Sequence, residues 1–195
     1  METIGIDVDG TIADVVNAWL RMAREKFAVN ANKSDIIKYD FWELFDIPRE
    51  RWFETFKELW NNPDNIGLES ERIPEILHAL HSRYNISIVT ATVGEQAKVR
   101  YWLQRNGIEY DNIIFMQNAL EKGNADGISI YVDDYAGVAS RIASSGRKVI
   151  LLSQPWNAEF ANNNKNPNVI VAKNWDDVER ILTHTKTGVN GRPSR

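Results

Sequence analysis

Strand-like runs alternate with helix-like runs along most of this chain, and that alternation limits the fold more than any other feature. Thr3–Val8, Ile86–Thr90, Asn112–Met116, Ile128–Val132, Lys148–Leu152 and Val169–Val171 are short and rich in Ile and Val. Most run almost continuously apolar, as strands buried on both faces do. Helical patterns separate them. Val99, Trp102 and Leu103 share a face before Gly107, Gly137–Ser145 ends at Gly146, and Trp175–Leu182 places Val178, Ile181 and Leu182 on one side. Glycines in these positions stop helices. The pattern predicts an α/β fold, a Rossmann-like parallel sheet flanked by helices.

Residues 15–74 depart from the alternation and carry no strand candidate. Helices are predicted over Ala13–Phe27, from Ser34 toward Phe45, and from Pro48 to Trp60, with proline favoured in a first turn. Asn61-Asn62-Pro63-Asp64-Asn65 breaks the third, and Pro74 opens a helix that returns to the sheet. A parallel crossover needs about a dozen residues or somewhat more, so the surplus reads as a small helical cap inserted after the first strand. Residues 1–14 and 75–185 then form the α/β core, and 186–195, with Gly188, Gly191 and Pro193, a flexible tail.

Composition removes whole classes of function. The chain has 195 residues and no cysteine, which excludes a disulfide scaffold, a thiolate metal site and thiol catalysis. A chain of this length buries about 70% of its unfolded surface and needs no staple. No stretch approaches the roughly 18 apolar residues of a membrane span, and Asp7 and Asp9 interrupt the early apolar run, against a secretory leader. Lys+Arg 23 against Asp+Glu 27 gives a net charge of −4 without a basic stripe, so a nucleic-acid partner is not expected. The expected location is the cytoplasm.

Chemistry concentrates at strand ends. The first strand ends in Asp7-Val8-Asp9-Gly10-Thr11, another in Thr90, and a third in Asp133-Asp134. Open α/β sheets bind ligands at the carboxyl ends of their strands. Asp7 and Asp9 project to one side of a strand, Gly10 admits a close backbone approach, and the helix start offers N–H groups to an anion. A lone Asp after a strand is ordinarily a turn former or an N-cap. Two pairs and a hydroxyl at three strand ends weaken that reading. Carboxylates so gathered repel unless a cation sits among them, and an oxygen-only donor set suits Mg²⁺. One carboxylate is then available as nucleophile and a second as proton donor. Each like-charge pair at 4 Å costs roughly 4 kcal/mol at an effective dielectric of 20. A carboxylate approaches a phosphate dianion only with a cation and a positive side chain in place.

These residues resemble the signature of the haloacid dehalogenase (HAD) superfamily of aspartate-nucleophile phosphohydrolases. The Asp-x-Asp-Gly-Thr motif is Asp7–Thr11, the strand ending in a hydroxyl is Ile86–Thr90, and the acidic pair closes Tyr131–Asp134. The inserted helices, Lys98-x-x-x-Trp102 with Asn106-Gly107, Gln154-Pro155-Trp156-Asn157 and Asn174-Trp175-Asp176-Asp177 are similar to the 5′(3′)-deoxyribonucleotidases of cytosolic type C. The resemblance implies a Mg²⁺-dependent phosphomonoesterase acting on a small phosphate monoester, a (deoxy)nucleoside monophosphate. Asp7 would be the nucleophile and Asp9 the acid and base. Asp7, the Asp9 backbone carbonyl and Asp133 would hold the metal, with Asp134 in support. Thr90 and the backbone at Ala91 would bind phosphate, alongside Gly10 and Thr11. Lys98 is preferred as the positive residue for its helix context. Lys122, eleven residues before Asp133, is the alternative, at the spacing many other superfamily members use.

Four of the seven tryptophans, Trp19, Trp42, Trp52 and Trp60, lie at or before residue 60. Phe41, Trp42 and Trp60 are the candidates for stacking on a base, whereas Trp52, Phe53 and Phe56 at helical spacing read as the core of the insert. Many relatives dimerise, so the resemblance allows a homodimer. A phosphatase of another small metabolite or of a polynucleotide 3′ end, and a catalytically silent phosphate-binding module, are the competing readings.

Overall fold

In a computed structural model the chain is described from residue 1 to 184. The expected tail at 186–195 lies outside the described residues. Six parallel strands form the main sheet: β1 (Glu2–Ile6), β4 (Tyr84–Thr90), β5 (Asn112–Phe115), β6 (Ile130–Asp133), β7 (Lys148–Leu152) and β8 (Val169–Ala172). Their order is β5-β4-β1-β6-β7-β8. The chain thus builds outward from β1 in both directions, and the order reverses there. At such a switch point the connections leave on opposite sides and a crevice opens beyond the strand ends.

Alternate strand residues feed two apolar layers. Ile4, Ile6, Ile86, Ile88, Ile130, Val132 and Ile150 face one layer, which α3 (Ile73–Leu80), α4 (Gln96–Arg105) and α7 (Trp175–His184) cover. Val89, Tyr131, Val149 and Leu151 face the other, covered by α5 (Ala136–Ser144). Side chains of both faces are buried, which is why these strands read as unbroken apolar runs.

The inserted segment is mostly, not wholly, helical. Helix α1 (Val15–Phe27) and helix α2 (Arg49–Asn61) form where expected. Two corrections apply to what lies around them. Ala13–Asp14 (β2) and Gly67–Leu68 (β3) pair as a small antiparallel ladder at the base of the insert, where no strand was expected. Residues from Ser34 to Phe45 do not form one helix. Short 3₁₀ turns stand at Lys33–Asp35 and Phe41–Phe45 instead. The Asn32 N–H donates to the Asp35 carboxylate at 2.8 Å, capping the first of these turns.

The insert shares the first apolar layer with the sheet. Trp19 and Trp60 are fully buried in the same cluster as Ile4 and Trp102. The Trp19 indole N–H donates to Thr55 at 2.9 Å, tying α1 to α2, and the Trp102 N–H donates to the Ile66 carbonyl at 2.9 Å. Among the described residues no helix is long and apolar enough to cross a membrane.

Ile88 is fully buried in β4, while Val171 on the edge strand β8 is 38% exposed. Truncating a buried Ile to Ala removes transfer free energy and leaves a cavity. Ile88→Ala should lower stability by about 2–5 kcal/mol, and Val171→Ala by no more than about 0.5 kcal/mol. Urea unfolding midpoints at unchanged slope check both values.

Candidate active site

Sheet register sets the geometry. Ile6 pairs with Ile88 on one side and with Val132 on the other. The Asp7 N–H continues the ladder to the Val132 carbonyl at 3.0 Å. Asp7 and Asp133 therefore leave the sheet side by side, with Thr90 at the neighbouring strand end. Asp7, Asp133 and Asp134 are buried, and one oxygen from each lies within 4.8 Å of the others.

The positive residue among them is Lys122. Its ammonium stands 2.8 Å from Asp7 Oδ2 and 2.9 Å from Asp133 Oδ2, and the residue is 3% exposed. Lys98, preferred from the sequence, is exposed in the first turn of α4, whose inner face is taken by Val99, Trp102 and Leu103. The preference is thereby reversed, and Lys122 is the lysine that meets the carboxylates.

Each carboxylate has its own set of donors. Asp134 accepts the Thr11 hydroxyl at 3.0 Å and the Trp156 indole N–H at 2.8 Å. Its backbone carbonyl accepts the Asn157 amide at 2.7 Å. Gly10 lies against it with φ +76°, and a Cβ there would come 2.6 Å from Asp134 Oδ2. Both the conformation and the contact call for glycine. The Gly10 carbonyl accepts the Gln154 amide at 2.9 Å. Asp9 accepts the Trp60 indole N–H at 3.2 Å and is hydrogen-bonded by Thr92. The Thr90 hydroxyl, fully buried, accepts the Thr92 N–H at 3.2 Å, which leaves its own proton free to donate.

Burial dominates the titration. It raises Asp7 from 3.8 to about 7, against Lys122 and with help from Asp133 and Asp9. It raises Asp9 to about 6, against the bonds from Thr92 and Trp60. Asp134 is also pushed up, by burial and by Asp133 and Asp7. One ammonium does not balance four carboxyl groups in a dry site, which is the condition a divalent cation relieves.

A cavity of about 370 Å³ opens beside the cluster. Asp9, Gly10, Ala91 and Asp134 line its inner end, and Phe41 and Trp42 line it from the insert. Three expectations are corrected. Trp60 does not line this cavity; its buried indole serves Asp9. Thr11 does not line it either; its hydroxyl serves Asp134. Trp52, Phe53 and Phe56, expected only as core, do line it. Sequence reasoning missed Tyr39, Arg49 and Tyr135, which also border the cavity. No spacing pattern signals them. The Arg49 guanidinium lies over Phe53 at 5.1 Å and Trp42 at 5.7 Å. Burial and the charges of Asp134, Asp7, Asp133 and Asp9 push the Tyr39 phenol well above its ordinary value of 10.

The family described as 5′ nucleotidase, deoxy (pyrimidine), cytosolic type C protein matches residues 1–187. The chain belongs to that family. It is a phosphatase of the 5′-nucleotidase kind. No curated protein sequence matches it. Among solved structures it is similar to protein tyrosine kinase A of Mycobacterium tuberculosis, with a TM-score of 0.69 at 15% identity over 93% of this chain and 97% of that one. A predicted phosphatase from Clostridium acetobutylicum gives 0.64 at 16% identity over 93% and 98%. The HAD-hydrolase YfnB of Bacillus subtilis, solved bound to magnesium, gives 0.60 at 16% identity over 93% and 98%. These structures share the fold.

The titration of this nucleotidase-family site has a measurable sign. In metal-free protein, Asp9 and Asp7 hold their protons up to about pH 6 and 7, whereas unfolded carboxyls release theirs near 3.8. Through that window the folded state binds more protons than the unfolded one, so stability falls as pH rises. The chelated protein should melt higher at about pH 5 than at about pH 7.5. Added Mg²⁺ should raise the melting temperature more at the higher pH, because the ion competes with protons for the same oxygens. A chelated protein that gains stability across this range would show the carboxylates to be otherwise compensated.

Proposed function

We propose that the protein is a Mg²⁺-dependent phosphomonoesterase that carries the phosphoryl group on Asp7 and releases phosphate from (deoxy)nucleoside monophosphates. The observation that carries this reading is the convergence of Asp7, Asp9, Asp133, Asp134 and buried Lys122 beside an aromatic-lined cavity that Asp9 and Asp134 border. Residues 15–74 act as the cap that supplies the aromatic walls.

The donor chemistry fits Mg²⁺. Asp7 and Asp133 offer carboxylate oxygens, and the Asp9 backbone carbonyl would join them as a ligand. Asp134 supports from outside, its two oxygens each held by a donor from Thr11 and Trp156. The absence of Cys or His in the cluster suits a hard cation. When bound, the ion supplies positive charge that neutralises the carboxylates and the phosphoryl oxygens.

The remaining steps belong to the chain's own side chains. The Asp7 carboxylate attacks phosphorus, and its new O–P bond replaces the ester P–O bond. Asp9 delivers a proton to the leaving oxygen. Its carboxyl, raised to about 6, exchanges that proton near neutral pH. Water then attacks the phosphoryl group, Asp9 takes a proton from it, and the Asp7 O–P bond breaks. Lys122 and the Thr90 hydroxyl hold phosphoryl oxygens, and the backbone at Ala91 closes that side. The second carboxylate weighs against a silent binding module, since binding alone needs no proton donor. Phe41, Trp42, Trp52 and Phe53 offer faces on which a base stacks.

Phosphate release over 5′-, 3′- and 2′-nucleoside monophosphates and sugar phosphates, with Mg²⁺ and with chelator, tests the reading. The nucleotides should be preferred, and the chelator should stop turnover. Asp7→Asn and Asp9→Asn should each abolish it. Near wild-type turnover by either variant removes that residue from its role. The lysines have their own comparison. Lys122→Ala should lower kcat by about 10²–10³-fold, the scale of one lost charge-stabilising donor, with Lys98→Ala within about twofold of wild type. Equal losses in the two would overturn the assignment of Lys122.

A further inference from the structure

The rings of Tyr39 and Tyr135 lie face to face, with centroids 3.7 Å apart and planes 10° from parallel. The two residues come from different parts of the chain. Tyr39 belongs to the inserted segment, just before the 3₁₀ turn of Phe41. Tyr135 follows Asp133-Asp134 directly. Both border the cavity that holds Asp9, Gly10 and Asp134. We propose that this stack is the closing contact of the cap on the core, and that it restricts the site to compact, monomeric phosphate esters. The proposal rests on the phosphatase reading above and adds to it a selection by size.

The contact is built on the core side. Gly137 stands at the start of α5, and a Cβ there would come 2.8 Å from Tyr135 Cζ and 3.0 Å from its hydroxyl. The ring takes its place because residue 137 has no side chain. The Tyr135 N–H donates to Asp133 Oδ1 at 2.8 Å, so the same short segment sets both the ring and a carboxylate of the site. Tyr39 keeps 40% of its surface in solvent, which puts the stack at the mouth of the cavity and not in the core. An aromatic pair is worth roughly 2- to 10-fold in an equilibrium beyond its buried area. Such a contact is strong enough to favour the closed form and weak enough to open for each substrate. With it in place the cavity is about 370 Å³, near the lower end of the roughly 300–1,000 Å³ typical of small-ligand sites. One nucleotide is of that scale. An ester that continues into a second nucleotide needs room beyond this cavity, and the stack occupies part of its border.

The Mg²⁺-loaded protein should be compared with Tyr39→Ala, Tyr135→Ala, the double variant, Tyr39→Phe, Tyr135→Phe and Gly137→Ala. The probes are a deoxynucleoside 5′-monophosphate, a dinucleotide with a terminal phosphate, and inorganic phosphate as competitive inhibitor. Binding by calorimetry accompanies turnover. Each Ala variant should raise KM for the monomer about 3- to 10-fold, with the double variant no worse than the singles. The Phe variants keep the stack and should stay within about twofold. Gly137→Ala, whose Cβ displaces the Tyr135 ring, should behave like Tyr135→Ala. The inhibition constant of phosphate, which touches only the core, should not move, and this sets the effect apart from a loss of fold. The dinucleotide should gain on the monomer in kcat/KM when the stack is removed. Losses that multiply in the double variant, or unchanged discrimination against the dinucleotide, overturn the proposal. If no ester is turned over but monomer binding shows the same non-additive pattern, the stack stands and the phosphatase reading falls. If the monomer neither binds nor turns over, both fall.

Discussion

The ammonium of Lys122 lies within 3 Å of both Asp7 and Asp133, with almost no solvent around it. Burial by itself lowers its affinity for the proton, and the charges of Asp133 and Asp7 more than offset that tendency. The cation in turn lets two carboxylates leave adjacent strands side by side. Without it, the register that makes a continuous parallel sheet would place like charges together in a dry pocket, at a cost of several kcal/mol. The distant parts of the core hold this lysine in place. The Tyr131 hydroxyl donates to the Lys122 carbonyl at 3.0 Å, the Arg147 guanidinium donates to the Gly123 carbonyl, and Asn118 caps the turn at Leu120 N. Strand β6 and the residue before β7 thus serve the site from behind, through backbone carbonyls of one 3₁₀ turn.

What could be read from the sequence follows from local rules. Ile and Val runs mark strands of a sheet covered on both faces, so six strands were legible within a residue or two. Acidic residues at strand ends were legible because a parallel sheet delivers its carboxyl ends to one crevice. The β2–β3 ladder was not, since two-residue strands carry no periodicity. Lys98 and Lys122 illustrate a second limit. Each has a plausible spacing, and the choice depends on which way a loop folds. The bonds from Tyr131 and Arg147 that decide it join residues more than seven positions away in sequence. Trp60 and Thr11 were read as substrate contacts, but both spend their donors on carboxylates of the site. Residue type showed that they belonged there without showing which side of the carboxylate they would take.

Aromatic residues divide between two tasks in the inserted segment. Trp19 and Trp60 are buried to the last atom and join the insert to the sheet layer. Trp42, Trp52 and Phe53 are only half-buried and face the cavity. Helical spacing alone does not separate these roles, because α2 turns one stripe inward and its flank toward the cavity. The base of the insert is therefore anchored by large indoles with paired N–H groups. Its cavity side, from Tyr39 to Phe53, carries the aromatic residues and Arg49 that border the site.

Asp134 shows how much the fold spends to keep that machinery together. Its carboxyl is raised by burial and by two like charges, yet it is held by a hydroxyl, an indole and a glycine that cannot be replaced without a clash. Those donors come from the helix start after β1 and the turn after β7, and Trp175 of the last helix binds the Thr11 carbonyl at 2.8 Å. Each of these elements is stabilised by its own apolar layer, so the strain at the carboxylate is borne by packing elsewhere. The acidic pair is then a shared constraint and not a local one. Through Thr11, which bonds Asp134 and accepts from Trp175, the carboxylate is tied to the last helix as well as to its own strand.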